Sequence, residues 1–429
     1  MIALKEQWNS IRSSTLARNA GWMFVGQGSG FILQAVYFII LARLLGAVEY
    51  GIFAGAFAFV NLVGQYSTLG TGTVLLRYVA GNRKSFAVYW GNILLVTAVL
   101  GSVLTVALNL LGKHMLNPSS AALVLLAALA NCFCAQLTTE TARVFQTFEK
   151  MRITATLNLL TNLVRTCVAL VMLVVLHHAS AWQWAVASTV VSAVAAGAAF
   201  GTVTAHFGWP RVQRGIFRAH AVEGFEYAFA TSTSSIYNDL DKTMLSHYGL
   251  NAANGIYTMA YRVVDIATMP IFSIRDAAMP RLFERGRQGL AGASELANRL
   301  MKRSLVISVV AAAGMFLLAP VLPLVVGHGF GESSEALRWL CLIPVFRSVH
   351  QMTGSAITGA GMQRYRTASQ LAAASLNLVL NLWFIPHWGW HGAAWSSLIT
   401  DGALAAANWT MLRVLSGTAP TPPLLQEQA

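Results

Sequence analysis

Long apolar runs alternate with short polar or basic connections along the chain, from Gly21 almost to the C-terminus. A helix needs about 20 mainly apolar residues to cross a hydrocarbon core about 30 Å thick. Runs of this length predict an all-α polytopic membrane protein with about twelve transmembrane helices, and no soluble domain fits between them. We place the spans at residues 20–42, 51–73, 86–111, 121–142, 154–176, 183–205, 224–247, 253–274, 304–327, 335–358, 368–386 and 393–415.

Composition agrees with this pattern, because 56% of the residues are hydrophobic and only 10% are charged, against roughly 25% charged in soluble domains. Residues 1–19 are polar and include Lys5, Arg12 and Arg18, so we expect a cytoplasmic amphipathic segment rather than a cleaved signal. The four cysteines fall inside predicted spans without the spacing of a zinc site. We therefore expect packing roles for them and no metal site.

The net charge of +13 is distributed unevenly, because most of the 29 Lys and Arg residues fall in alternate loops. By the positive-inside rule, we expect these loops and both termini to be cytoplasmic and the chain to be an inner-membrane protein. Basic loops also attract anionic phospholipid, by about 1 kcal/mol per residue near the surface. We expect no nucleic-acid partner, since no basic groove with interleaved aromatic residues lies outside the membrane.

The two halves of the chain contain similar residues at a constant separation of 204 positions. The similar pairs are Gly51-Ile52-Phe53 with Gly255-Ile256-Tyr257, Phe57 with Tyr261, and Arg77 with Arg281. They predict two pseudo-symmetric six-helix lobes around a central cavity that works by alternating access. The predicted regions are an N-lobe (20–205), a cytoplasmic linker (206–223), a C-lobe (224–415) and a cytoplasmic tail (416–429), with the longest polar connection at 275–303. The alternative is that small-residue turns after spans simply look alike.

Polar residues at membrane depth are costly and are default functional candidates. In the fifth span, Asn158, Asn162 and Arg165 follow at i, i+4 and i+7, which places them on one helical face. Similar stripes occur in the first, second, seventh, tenth and twelfth spans. The substrate-binding candidates are Gln27, Gln34, Asn61, Gln65, Asn158, Asn162, Arg165, Asn238, Lys242, Arg347 and His350.

Arginine is the residue best suited to a diphosphate, because its guanidinium makes paired charge-assisted hydrogen bonds. The acids Asp239, Asp241 and Asp401 are candidates for coupling to H⁺ or Na⁺. Two alternatives remain for these stripes. Polar side chains also hold packed helices together, and Arg262 with Asp265 could simply neutralise each other. His350 could equally be a packing residue.

Three segments carry a family resemblance. They are Leu41-Ala42-Arg43-Leu44-Leu45-Gly46 with Tyr50-Gly51, Asp241-Lys242 with Gly255-Ile256-Tyr257, and Asn381 with Ile385-Pro386, Gly389 and Gly392. With these segments the chain resembles the polysaccharide transporter (Wzx-like) branch of the MOP exporter superfamily. The resemblance implies flipping of a polyprenyl-diphosphate-linked O-antigen, capsule or exopolysaccharide unit to the periplasmic leaflet. It also implies polysaccharide polymerase and chain-length proteins as partners.

Two other functions compete with this one. A multidrug cation antiporter of the same superfamily would use Asp239, Asp241 and Asp401 in its cavity, although arginines at mid-membrane would repel its cargo. A membrane polymerase or ligase would need an extramembrane loop carrying acids, bases or metal ligands, and no such constellation occurs. The sequence therefore predicts a transporter without a cofactor, not an enzyme.

Overall fold

The computed structural model describes residues 15–79, 81–287 and 289–418, and the regular elements in this part of the chain are helical. In order they are α1 (Thr15–Asn61), α2 (Thr71–Val79), α3 (Phe86–Met115), α4 (Pro118–Ala121), α5 (Val124–Ala128), α6 (Gln136–Thr147), α7 (Met151–Leu176), α8 (Ala181–Phe207), α9 (Arg214–His247), α10 (Asn251–Gly286), α11 (Leu290–Leu318), α12 (Val321–Val326), α13 (Ser333–Leu340), α14 (Ile343–Gly359) and α15 (Gln363–Thr418). Short 3₁₀ turns lie at Gly64–Ser67, Arg83–Ser85 and His328–Phe330, and a π-helical segment lies at Leu129–Ala135. The predicted all-helical fold is confirmed. Most of the predicted N-terminal segment and of the tail lies outside the described residues.

Seven stretches of the described chain are long and apolar enough to cross a membrane by length and composition. They are Ile32–Asn61, Arg83–Met115, Val124–Thr147, Met151–Leu176, Ala181–Phe207, Leu290–Leu318 and Gln363–Ser416. The first and last each cover parts of two predicted spans, because glycines interrupt the helix at Gly46 (φ 69°) and Gly389 (φ 55°). Glycine adopts such left-handed conformations without steric cost.

The seventh, eighth and tenth predicted spans correspond to α9, to α10 and to α13 with α14. Helices α9 and α10 are too polar to qualify on composition, and α13 and α14 are each too short. Three of their charged side chains are nevertheless enclosed by protein, since Asp241, Lys242 and Arg347 are each at most 4% exposed. A polar helix of this kind is tolerated at membrane depth when its charges face protein instead of lipid.

The predicted polar connection at 275–303 is mostly helical. Helix α10 continues to Gly286 and α11 begins at Leu290, well before the predicted span at 304. Helices satisfy their own backbone hydrogen bonds and so persist beyond the hydrocarbon core. Glu295 supports the extension through ion pairs with Arg285 (3.8 Å) and Arg299 (2.9 Å).

Contacts divide the chain into two compact units, Met1–Ala252 and Ala253–Ala429. By this measure α9 belongs to the first unit, whereas the repeat assigns it to the second lobe. The reason is its packing on the end of α1, where Ser232 Oγ donates to the Leu62 carbonyl at 2.8 Å. The predicted lobe boundaries stay a prediction.

Element bounds follow the internal repeat. Helices α3 and α11 begin at residues 86 and 290, which are 204 residues apart, as are Gly51 and Gly255. Gly46 and Gly249 both have left-handed φ angles, of 69° and 72°, and each precedes a new helical stretch. The two halves therefore share breaks as well as sequence echoes.

Candidate functional site

A cavity of about 310 Å³ lies among α6, α7, α8 and the π-helical segment, inside the first unit. Helix α7 contributes Asn158, Thr161 and Arg165 at i, i+3 and i+7, so one face of this helix is polar. Its opposite face carries exposed leucines such as Leu159 and Leu163, as expected for a face towards lipid. The other lining residues are Cys134, Ala135, Thr138, Thr139, Ala142, Ser192 and Ala195.

Among the described residues that line this cavity, Arg165 is the charged one. Its Nη2 donates to Ser192 Oγ at 3.1 Å, while its buried Nε makes no hydrogen bond within the described chain. A buried donor without an acceptor costs about 1–3 kcal/mol, more when it is charged. The guanidinium therefore retains donor capacity that an oxyanion would use.

Asn162 does not line this cavity, although the sequence placed it on the same stripe. It is half-buried, and its backbone carbonyl accepts from the Thr166 hydroxyl at 2.8 Å. The cavity instead gains Ser192 and the end of the π-helical segment, which the hydropathy pattern did not single out. Single-turn π segments often occur at functional sites.

A second polar cluster, which we call the Asn61 cluster, joins three distant stretches of the first unit. Asn61 Nδ2 donates to Asp239 Oδ2 at 2.5 Å, and Asn131 Nδ2 donates to Asn61 Oδ1 at 3.2 Å. Lys242 Nζ lies 2.7 Å from both Asp239 Oδ1 and the Asn238 carbonyl. Predicted residues of the second and seventh spans thus meet, and Asn131 completes the cluster. Sequence reasoning missed Asn131, although a lone asparagine in an apolar run is a signal that could have found it.

Asp239 and Asp241 have different surroundings. The sequence names both acids as coupling candidates without distinguishing them, and in the structure Asp239 forms an ion pair with the Lys242 ammonium group. Asp241 is fully buried and accepts the backbone N–H of Lys242 at 2.7 Å. A role of either acid in ion coupling stays a prediction.

In the second unit, Arg347 contacts residues of α10. Its Nη1 donates to Asp265 Oδ1 at 3.2 Å, and its Nη2 donates to Tyr261 Oη at 2.8 Å. The predicted pairing of Arg262 with Asp265 is present at 3.6 Å, but Asp265 is shared with Arg347. The shared carboxylate offsets the charge of Arg347.

The remaining candidates lie apart from these clusters. His350 and Asp401 face each other in the second unit at 3.4 Å. Gln34 and Gln65 are half-buried, and no described hydrogen bond links their side chains to the clusters. Gln27 lies in α1, but its side chain is outside the described residues. Within the described chain, no group of three or more His, Cys, Asp or Glu residues is arranged to hold a metal ion.

At the predicted cytoplasmic side, Glu223 accepts hydrogen bonds from Arg77 Nη1 at 2.6 Å and from Tyr78 Oη at 3.1 Å. Partial burial opposes ionisation of Glu223, but these bonds and the charge of Arg77 outweigh it and lower the pKa of the carboxyl. Burial and the bond to Glu223 raise the pKa of Tyr78. The bond to Glu223 and its charge raise the pKa of Arg77.

This cluster predicts a pH dependence of stability. A carboxyl with a lowered folded-state pKa stabilises the protein fully above its unfolded value of about 4.3 and loses that contribution as pH falls through the folded value. Glu223→Gln should therefore flatten the acid side of a plot of melting temperature against pH. The control is Glu226→Gln, an exposed carboxylate on the same helix. Parallel curves for the wild type and Glu223→Gln would contradict this assignment.

The chain is similar to known proteins both in sequence and in fold. The family described as "Polysaccharide biosynthesis protein" matches residues 16–285, more than half of the chain. No curated protein sequence matches this chain.

Among solved structures, an inward-facing multidrug resistance MATE family transporter of the MOP superfamily is similar, with 14% identity and a TM-score of 0.73 over 91% of this chain and 96% of that one. An outward-facing MATE transporter is similar with 14% identity and a TM-score of 0.63, over 94% and 95% of the two chains. A MOP superfamily transporter from Pyrococcus furiosus, described as having a binding pocket of reversed polarity, has 12% identity and a TM-score of 0.65, over 94% and 95%. At such identities these likenesses show the fold alone.

Proposed function

Because the chain belongs to the polysaccharide biosynthesis protein family, we propose that it flips a polyprenyl-diphosphate-linked oligosaccharide from the cytoplasmic to the periplasmic leaflet by alternating access. The predicted resemblance is confirmed by the family match, and the predicted MOP fold by the likeness to solved transporters. The chain is accordingly a multi-pass membrane transporter and not an enzyme. The lipid-linked cargo, the bacterial inner membrane, the cytoplasmic termini and the partner proteins belong to the proposal.

The observation that carries the proposal is the cavity around Arg165. Its volume of about 310 Å³ is at the lower end of small-molecule sites, which span about 300–1,000 Å³. It therefore suits a diphosphate headgroup, while the sugars and the polyprenyl chain would lie outside it. Arg165 and Asn158 supply donors, and a diphosphate supplies acceptors only.

Charge supports the same cargo. The basic loops predicted on the cytoplasmic side would raise the local concentration of a polyanionic headgroup. A cation antiporter would need acids in its cavity, whereas the described residues lining this one include Arg165 and no acid. In addition, Asp239 is already neutralised by Lys242 at 2.7 Å.

The test is translocation by the purified protein in liposomes, using a fluorescent short-chain polyprenyl-diphosphate disaccharide and an external enzyme that destroys only exposed headgroups. Arg165→Ala should slow translocation by about 10- to 100-fold, since a charge-assisted hydrogen bond contributes about 1.5–3 kcal/mol. Arg165→Lys should retain part of the rate, because it keeps the charge without the fork.

Lys302→Ala removes an exposed base of the second unit and is the matched control. Asn158→Ala should have an intermediate effect. A normal rate in Arg165→Ala would refute the cavity assignment.

A further inference from the structure

We propose that His350 and Asp401 form a proton-binding site inside the second unit, reached from the cytoplasmic end of α14. The proton would be taken up at His350 Nε2, with Asp401 as its counter-ion. Its role in driving transport rests on the proposed function, whereas proton binding by the pair does not.

The pair is enclosed and incompletely bonded. His350 Nε2 and Asp401 Oδ1 are 3.4 Å apart, and the side chains are only 4% and 2% exposed. Neither of these atoms makes a hydrogen bond within the described chain. An N–H···O hydrogen bond normally spans about 2.7–3.2 Å. The two atoms are thus placed so that a proton on Nε2 would close a charge-assisted bond after a small shift.

Charged groups around the pair come from three helices. Arg347 lies one turn before His350 on α14, and its charge is offset by Asp265 of α10 at 3.2 Å. Arg366 comes from α15, like Asp401, and a Cβ on Gly354 would lie 3.2 Å from its Nε. On the remaining neighbour, α11, hydroxyl groups face α14, as where Ser308 meets Ser348. The charged residues Arg299, Lys302 and Arg303 of α11 are exposed.

These charges favour two states that differ by one proton. With a carboxylate at Asp401 and a neutral imidazole at His350, the pair carries one negative charge. Uptake of one proton makes the pair neutral overall, with imidazolium and carboxylate in contact. A second proton is disfavoured, because it would leave a cation close to Arg347 and Arg366. Because the two atoms are only 3.4 Å apart, replacing either residue should change proton binding by the other.

Polar groups connect the pair to one end of α14. Asn408 Nδ2 donates to the His350 carbonyl at 3.3 Å, and Ser369 Oγ donates to Asn408 Oδ1 at 2.7 Å. Next to Gly354, Arg366 Nη1 donates to Thr358 Oγ1 at 3.1 Å, which in turn donates to the exposed Gln363 at 2.7 Å.

The other end of α14 begins with Ile343 and Pro344, which are buried. This asymmetry gives protons a polar approach from the turn around residue 361. The sequence predicts that this turn is cytoplasmic.

A proton bound here would act as a second ligand of the transporter. A ligand shifts a conformational equilibrium only by its difference in affinity between states. A buried site whose net charge changes by one unit has such a difference whenever the states hydrate it unequally. Coupling therefore requires that this site lose or gain water during the cycle.

The first experiment measures protonation without any substrate. In the full-length protein with ¹³C-labelled histidine, the NMR signal that disappears in His350→Gln identifies this imidazole among the ten histidines. It should shift with pH as the imidazole takes up a proton, and Asp401→Asn should displace the midpoint of this change by at least about one pH unit. His178→Gln, an exposed histidine, should leave it unchanged. A His350 signal that does not titrate, or that ignores Asp401→Asn, overturns the proposal.

The second experiment measures coupling in liposomes with the fluorescent disaccharide lipid. A pH gradient should accelerate translocation by the wild type and by His178→Gln, and both His350→Gln and Asp401→Asn should lose this acceleration relative to their own rates without a gradient. If a Na⁺ gradient acts instead and the variants lose that response, the proton assignment is overturned. If the wild type translocates nothing under any gradient, the proposed cargo is wrong, while the NMR result still decides proton binding.

Discussion

Replacing Lys242 with methionine should destabilise the protein by about 3–5 kcal/mol, because it removes the cation of an ion pair inside the protein. The Asp239 side chain is 16% exposed and that of Lys242 is 6% exposed, so water screens their 2.7 Å ion pair little. Asn61 contributes a hydrogen bond of 2.5 Å to the same carboxylate, but an amide carries no charge to offset it. The measurement is the free energy of unfolding in detergent micelles by denaturant titration.

The double variant is the decisive control for this prediction. Asp239→Asn combined with Lys242→Met removes both charges and should recover most of the lost stability, because the buried anion no longer needs a partner. Arg77→Ala removes the ion pair of Arg77 with Glu223 and should change stability far less, because the Arg77 side chain is 62% exposed. Equal losses for the single and double variants would show that the pair is not energetically coupled.

The Asn61 cluster shows which parts of the site could be predicted from the sequence and which could not. Periodicity placed Asn61 and Lys242 on polar faces of their helices, because side chains three or four residues apart share a face. It could not show that these faces meet, since Asn61 and Asp239 are 178 positions apart. Which faces meet depends on how helices pack, and periodicity within one helix carries no information about its neighbour. For the same reason, the sharing of Asp265 between Arg262 and Arg347 was not foreseen.

The fold was more predictable than the site, because the length of apolar runs is set by membrane thickness. The predicted helix ends differ from the observed ones where hydropathy and helicity differ. The predicted spans stop at residue 274 and resume at residue 304, where the apolar runs end and begin, whereas α10 continues to Gly286 and α11 already begins at Leu290. In contrast, α9 is polar but is a continuous helix, and its charged residues Asp241 and Lys242 are enclosed by protein.

Gly91→Ala should destabilise the first unit by about 1–3 kcal/mol or more, as overpacking of a well-filled interior does. A Cβ at this position in α3 would lie 2.2 Å from the carbonyl oxygen of Arg211 and 2.5 Å from its carbonyl carbon. Both are backbone atoms, so no change of rotamer relieves the clash. The segment is also fixed in place, because Arg211 N donates to the Ala87 carbonyl at 2.8 Å and Asn92 Nδ2 donates to the Gln213 carbonyl at 3.0 Å.

The matched control is Gly201→Ala in α8, where a Cβ would meet nothing within 4 Å. There the gain in helix propensity should stabilise the protein by up to about 1 kcal/mol. The two variants should therefore move the denaturation midpoint in opposite directions, although each adds one methyl group to a helix. If they do, residues 206–223, which the sequence predicts to be a linker, form a segment that α3 holds in place. Equal midpoints for the two variants would show instead that this segment moves to make room for the added methyl group.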